Sequence, residues 1–312
     1  MATAQSAESE LSSSSEIILT YPSPGVRGAL EIRTRDLDRL LPGACLNDTI
    51  IEFGSKTIFH EVLSEELGRA THLFGPHFYA CLTGGLGASA LERVSRWTRS
   101  VDVFTKDYIV VPVNVSNHWI LAIICFAGRA LPHEQPPHES PNAYMLVFDS
   151  LRGYIKNLEE IARNLRGYLS EEWKRKRESV LVFTEANTPL YVPQTPQQTN
   201  NTDCGVYVLM NMEAFFRNAP KHGEPVEMSR NLFSSEDVAL KRTTMRQLII
   251  QLHEKQHPGS DLLSEWRVRA AGTELQHETP ETASAELRPA DVVRRSIRRR
   301  TPAKMCHLPC CG

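Results

Sequence analysis

Three segments of this chain carry residues able to do nucleophilic chemistry. The first is Gln197-Gln-Thr-Asn-Asn-Thr-Asp-Cys-Gly-Val-Tyr207, in which a polar, turn-forming stretch delivers Cys204 to the start of an apolar run. If that run is a helix, its free backbone N–H groups and its dipole favour a thiolate at the first residue. Gly205 permits close approach of backbone or substrate, and a glutamine just upstream can donate its amide to a developing oxyanion. The second segment is Asn117-His118-Trp119, at the mouth of a hydrophobic strand; the third is Phe148-Asp149-Ser150, a carboxylate at the end of another. Singly, each has a plainer explanation: a buried cysteine opening a core helix, a loop histidine, a turn aspartate that ends a strand. Together they supply a thiol, a base, and a group to orient the base through its other ring nitrogen.

The elements around them follow from pattern. Tyr108–Val113, Trp119–Phe126 and Tyr144–Phe148 read as strands, the second nearly continuous in apolar residues, as a strand buried on both faces should be. Val180-Leu-Val-Phe183 reads as a fourth. Helices are expected at Thr34–Leu41 (stopped by Pro42-Gly43), from an N-cap at Asn47, at Leu91–Thr98, at Ile155–Trp173, at Gly205–Arg217 and at Met245–Glu254. Gly128–Asn142, with Pro132, Pro136 and Pro137, reads as a surface loop. Helices, then a strand-rich middle, then helices indicate an α+β fold rather than a regular βαβ alternation. Residues 1–16, rich in Ser, Ala and Glu, are expected to be disordered. The folded domain is expected over 17–256, and the polar stretch 257–312 is expected to be a tail.

Composition bounds the function. A formal net charge of -2 gives no global attraction to nucleic acid or to an anionic membrane. No apolar run is long enough to span a bilayer, and Met1–Glu16 lacks the basic and apolar regions of a secretory signal. The seven cysteines are odd in number and irregularly spaced, which suits free thiols in a reducing compartment. Cys306, His307, Cys310 and Cys311 are too crowded for a standard zinc site, and no cofactor or metal is expected. Arg294-Arg-Ser-Ile-Arg-Arg-Arg-Thr-Pro-Ala-Lys304 fits a nuclear import signal, giving an expected nuclear or nucleocytoplasmic location; a solvated basic tail fits equally.

In His118-Trp119, Asp149-Ser150, Pro196-Gln-Gln and Asp203-Cys-Gly205 the chain resembles the ubiquitin-like proteases, also called sentrin- or SUMO-specific proteases. Cys45-Leu-Asn-Asp-Thr-Ile-Ile-Glu-Phe53 is similar to that family's N-terminal helix motif, and Trp97 through Asn114 to the lead-in to its histidine strand. The likeness runs from about residue 20 to about residue 256. It implies a papain-like cysteine protease fold with a central mixed sheet flanked by helices. It also implies hydrolysis of the bond after the Gly-Gly tail of SUMO, releasing SUMO from conjugated proteins. Carried over by position, Cys204 is the nucleophile, His118 the general base, Asp149 the orienting acid and Gln198 the oxyanion glutamine, with the Cys204 N–H as a second donor. Trp119 lies over the tail in a narrow tunnel; Cys45, Asp48 and Gly205 complete the expected substrate contacts. Cys45 departs from the family, many of whose members have Trp or Phe there, which leaves a thinner tunnel roof. The Gly128–Asn142 insertion resembles the branch that trims poly-SUMO chains. SUMO and its conjugates are the expected partners of a monomeric enzyme. A NEDD8-like modifier is one alternative, because modifier choice lies in surface contacts and not in the catalytic residues; a catalytically weak modifier-binding module is the other, and the intact Cys, His, Asp and Gln argue against it.

Overall fold

The structure is a computed structural model that describes residues 16–26, 28–84, 88–130, 143–219 and 229–277. A small antiparallel pair, β1 (Ile17–Tyr21) and β2 (Leu30–Arg33), precedes a short helix α1 (Thr34–Leu37) that continues as a 3-10 turn over Asp38–Leu40. Next come α2 (Asp48–Glu61), α3 (Glu65–Arg69), β3 (Thr71–Leu73), α4 (His77–Thr83) and α5 (Ala88–Ser95). The middle holds β4 (Tyr108–Val115), β5 (His118–Cys125), β6 (Tyr144–Phe148), α6 (Leu158–Arg177) and β7 (Leu190–Tyr191). Helices α7 (Cys204–Arg217), α8 (Ser235–Gln256) and α9 (Ser264–His277) follow.

The main sheet has the order β3-β4-β5-β6-β7, with both outer pairs parallel and the two inner pairs antiparallel. Strand alternation divides its side chains between two cores. Tyr108, Val110, Leu121, Ile123, Tyr144, Leu146 and Phe148 face α2, α7 and α8. Ile109, Val111, Ile120, Ala122, Ile124, Met145 and Val147 face α4 and α6. All eight residues of β5 are therefore buried, which is why its sequence shows no polar alternation. The expected α+β arrangement, a mixed sheet flanked by helices, is what the chain adopts.

Local chemistry sets the helices that frame the site. Asn47 caps α2 by accepting from the Ile50 N–H at 3.1 Å, and it donates to Asp36 Oδ1 at 2.7 Å, tying the cap to α1. Gly54 lets α2 approach α7 closely: a Cβ there would lie 2.5 Å from Leu209 Cδ1.

Three expectations change. Val180–Phe183 pairs with no strand among the described residues. Leu181 and Phe183 pack inward while Val180 and Val182 stand in solvent, the Phe183 N–H goes to Ser170 Oγ, and the free edge of β6 is taken by β7. The helix expected from Met245 begins ten residues earlier, at Ser235, behind a Ser234/Asp237 capping box. The fold also runs past residue 256. Leu263, Trp266 and Ala270 are buried in the main core, and Trp266 Nε1 donates to Asp38 Oδ1 at 2.9 Å, so the expected tail includes a docked helix. Residues 1–15, most of the 128–142 loop, and the basic segment and cysteines after residue 277 lie outside the described residues.

Candidate active site

Cys204 is the first residue of α7, 2% exposed and facing the mouth of β5. The turn before it is held by side chains. Asn200 Oδ1 accepts from the N–H groups of Thr202 (2.9 Å) and Asp203 (3.0 Å), while its Nδ2 donates to Asp203 Oδ2. From α8, the buried Arg242 donates through Nε and Nη2 to Asp203 Oδ1 (2.8 and 2.6 Å) and reaches the carbonyls of Thr202 and Arg39. This guanidinium fixes the residue that precedes the thiol.

His118 begins β5 across a two-residue turn, paired with Val115. Ser116 and Asn117 both have positive φ, 53° and 61°, as a type I′ hairpin requires; Asn tolerates this conformation. β6 ends, at Phe148 opposite Leu121, on the edge where β5 begins, so Asp149 arrives beside the imidazole. His118 Nε2–H donates to Asp149 Oδ1 at 2.7 Å, with both side chains under 5% exposed. The other ring nitrogen is left to Cys204, whose thiol it hydrogen-bonds.

The electrostatics favour an ion pair. Burial works against a charged imidazole, but the Asp149 hydrogen bond, the Cys204 contact and the charges of both raise His118 from 6.5 to about 9. Burial likewise pushes the Cys204 thiol up. The His118 hydrogen bond, the Trp119 N–H, the imidazolium charge and the Gly205 N–H together bring it below its ordinary value. A thiolate facing an imidazolium is ready for attack on a carbonyl, with a proton in place for the leaving group.

The glutamines lock the second strand end. Gln198 Oε1 accepts from Ser150 Oγ at 2.7 Å, its N–H donates to the Ser150 carbonyl, and its Nε2 donates to the Asn200 carbonyl at 2.6 Å. Gln197 bridges the Asp149 carbonyl and the Arg152 N–H. Trp119 is buried, and its Nε1 donates to the Leu46 carbonyl at 3.0 Å, seating the lead-in to α2 against the histidine strand. On that lead-in Cys45 is exposed, its Sγ 3.9 Å from the Asn201 carbonyl, and Asp48 opens α2 half-buried. Gly205 is buried, and a Cβ there would lie 2.9 Å from Leu46 Cβ and 3.0 Å from Ile51 Cδ1, so its bareness admits the close approach of the α2 segment. Sequence reasoning missed Arg242 and Leu46. Arg242 falls in a helix whose start was placed too late, and Leu46 acts through its carbonyl, which carries no residue-type signal.

Residues 44–250 match the Ulp1 protease family, C-terminal catalytic domain. The chain is 31% identical over 304 residues to sentrin-specific protease 7 of Rattus norvegicus, covering 78% of this chain and 29% of that protein. It is 34% identical over 258 residues to probable ubiquitin-like-specific protease 2A of Arabidopsis thaliana, covering 77% and 33%. It thus spans about a third or less of the length of these relatives. Among solved structures, a de-sumoylating protease superposes with a TM-score of 0.61 at 22% identity over 82% of this chain and 98% of that one. The C-terminal Ulp1 protease domain in complex with Smt3, the yeast ortholog of SUMO, gives 0.53 at 24% identity over 78% and 93%. Both show the same fold. With the family's region spanning every element that carries Cys204, His118 and Asp149, the chain belongs to the Ulp1 protease family through its catalytic domain.

Proposed function

We propose that this chain is a thiol protease that hydrolyses the bond after the Gly-Gly tail of SUMO, freeing SUMO from its conjugates. The observation that carries the reading is the buried Cys204–His118–Asp149 arrangement, with the thiol lowered and the imidazole raised. Relatives named for sentrin- and ubiquitin-like-specific proteolysis support the choice of modifier.

In this mechanism Cys204 Sγ attacks the carbonyl of the terminal glycine. The oxyanion is met by the Cys204 N–H and by the Gln198 Nε2 hydrogen not given to Asn200. His118 passes its proton to the departing lysine amine, leaving a thioester. The neutral imidazole then takes a proton from water, hydroxide displaces the thiolate, and the ion pair is restored. Asp149 keeps the Nε2 proton in place throughout. Trp119, Cys45 and Asp48 line the approach of the tail. Residues 128–142 favour poly-SUMO chains, and Arg294–Lys304 directs the protein to the nucleus.

The test is a SUMO bearing a C-terminal electrophile, run beside the same probe built on NEDD8. An adduct on Cys204 with the SUMO probe alone is expected, and none with Cys204→Ala. Labelling by the NEDD8 probe alone would move the enzyme to another modifier. Binding of SUMO without any adduct would leave a binding module.

A further inference from the structure

The segment after Asp149 returns to the catalytic histidine from its other side. Asp149 Oδ1 accepts not only from His118 but also from the Leu151 N–H at 2.9 Å, which starts a turn. The turn closes through the Tyr154 N–H to the Leu151 carbonyl at 3.0 Å, with Gly153 at φ +86°, a backbone that other residues rarely adopt. It is anchored sideways by the Arg152 N–H on Gln197 Oε1. This geometry delivers Tyr154 onto the His118 hairpin. Its Oη donates to the Ser116 carbonyl at 3.0 Å, and its ring meets the imidazole edge-on, with centroids 5.3 Å apart at 62°.

Tyr154 is 50% exposed, whereas His118 beneath it is 3% exposed at the rim of the sheet. A half-exposed tyrosine with both ring and hydroxyl engaged is a cover. Its hydroxyl holds the strained two-residue turn that aims His118, and its ring keeps water from the imidazole–carboxylate pair. In a drier setting that hydrogen bond is stronger. Among the described residues, the ionisable groups facing His118 are Asp149, Cys204 and Tyr154, from the β6 end, from α7 and from this loop. We propose that Tyr154 is a positioning residue for the catalytic histidine: one short loop grips His118 from both sides, Asp149 through the ring nitrogen and Tyr154 through the turn and the ring edge. The inference rests on the thiol-protease reading of the site, though not on which modifier is cleaved.

Two variants separate the contacts. Tyr154→Phe keeps the ring edge and loses the hydrogen bond; Tyr154→Ala loses both. The primary readout is the pH dependence of Cys204 alkylation by iodoacetamide, followed on the Cys204 peptide by mass spectrometry, with exposed Cys45 as internal reference. It needs no modifier. Alkylation at about pH 6 is expected to slow about fivefold in Tyr154→Ala and about twofold in Tyr154→Phe, since the thiolate is sustained by a well-placed imidazolium. On a fluorogenic SUMO substrate, kcat should fall about tenfold in Tyr154→Ala with KM little changed, as for a misaimed base. An alkylation profile in Tyr154→Ala that superimposes on wild type overturns the proposal, whatever activity does. A rise in KM alone does so too and makes Tyr154 a substrate contact. If no SUMO substrate is cleaved by any form while the alkylation shift appears, the modifier assignment fails and the positioning role stands.

Discussion

Replacing Asp149 by asparagine separates the charge of the orienting group from its geometry. Asp149 Oδ1 accepts from two donors at once, His118 Nε2–H at 2.7 Å and the Leu151 N–H at 2.9 Å. An amide nitrogen at that position would face both; the buried His118 donor left without an acceptor costs about 1–3 kcal/mol, and the part-buried Leu151 N–H adds less. The asparagine is therefore expected to keep its oxygen at the Oδ1 position, and with it the productive tautomer of His118. What is lost is the charge. Hydrogen bonds to charged groups contribute about 1.5–3 kcal/mol, against about 0.5–1.5 between neutral ones, so the deficit is about 1–2 kcal/mol, or about 5- to 30-fold in kcat/KM. Asp149→Ala strands the His118 donor in a site under 5% exposed, removes the acceptor of the part-buried Leu151 N–H, and should lose about 10²-fold or more. The assay is kcat/KM against pH on a fluorogenic SUMO substrate. Without the carboxylate, one of the groups that raise His118 is gone, so the alkaline limb should move to lower pH in Asp149→Asn. Equal damage from Asn and Ala would show that the amide is turned, and would refute the two-donor argument.

Further expectations follow from the same geometry. In the wild type, thiolate appears below the ordinary thiol range because Cys204 is lowered, and imidazolium persists to about pH 9 because His118 is raised. Activity should therefore rise on the acid side with Cys204 ionisation and decline as pH passes about 9 with loss of the His118 proton; a pH profile of Cys204 alkylation, which needs only the thiolate, checks the acid limb and should not fall above it. Gly205→Ala gains about 1 kcal/mol in helix propensity but overpacks Leu46 and Ile51, at a cost of about 1–3 kcal/mol. A lower Tm together with a lower kcat is expected; unchanged Tm with raised KM would return Gly205 to the substrate path. Trp266→Ala should destabilise the domain by about 3–5 kcal/mol in denaturant unfolding if α9 belongs to the core. A loss near zero would detach α9 from the domain.

Much of the site was legible because its signals are local. The Asn47 cap, the unbroken apolar run of β5 and the helix opening at Cys204 each depend on a few consecutive residues. The order His, Asp, Cys on two strand ends and a helix start put forward a base, an orienting acid and a thiol as candidates before any contact was known, and the fold brings the three together. Other features depend on partners remote in sequence. The start of α8 was missed because its buried face includes Arg242, which a hydrophobic pattern counts as solvent-facing; Asp203, 39 residues earlier, and the carbonyls of Thr202 and Arg39 make its burial tolerable. Val180–Phe183 has a strand's alternation, but pairing depends on which segment reaches the edge of β6, and Leu190–Tyr191 occupies it. Docking of α9 turns on Trp266 finding Asp38, 228 residues away. That Gly205 admits a neighbouring segment, and that the segment is the one holding Leu46 and Ile51, is decided by packing. The placing of Tyr154 over His118 required a turn, a left-handed glycine and a hairpin carbonyl to meet in space. Residue types and short spacings determine which chemistry this chain can do; the company each reactive group keeps, and hence its charge and aim, is decided by packing between segments the sequence keeps apart.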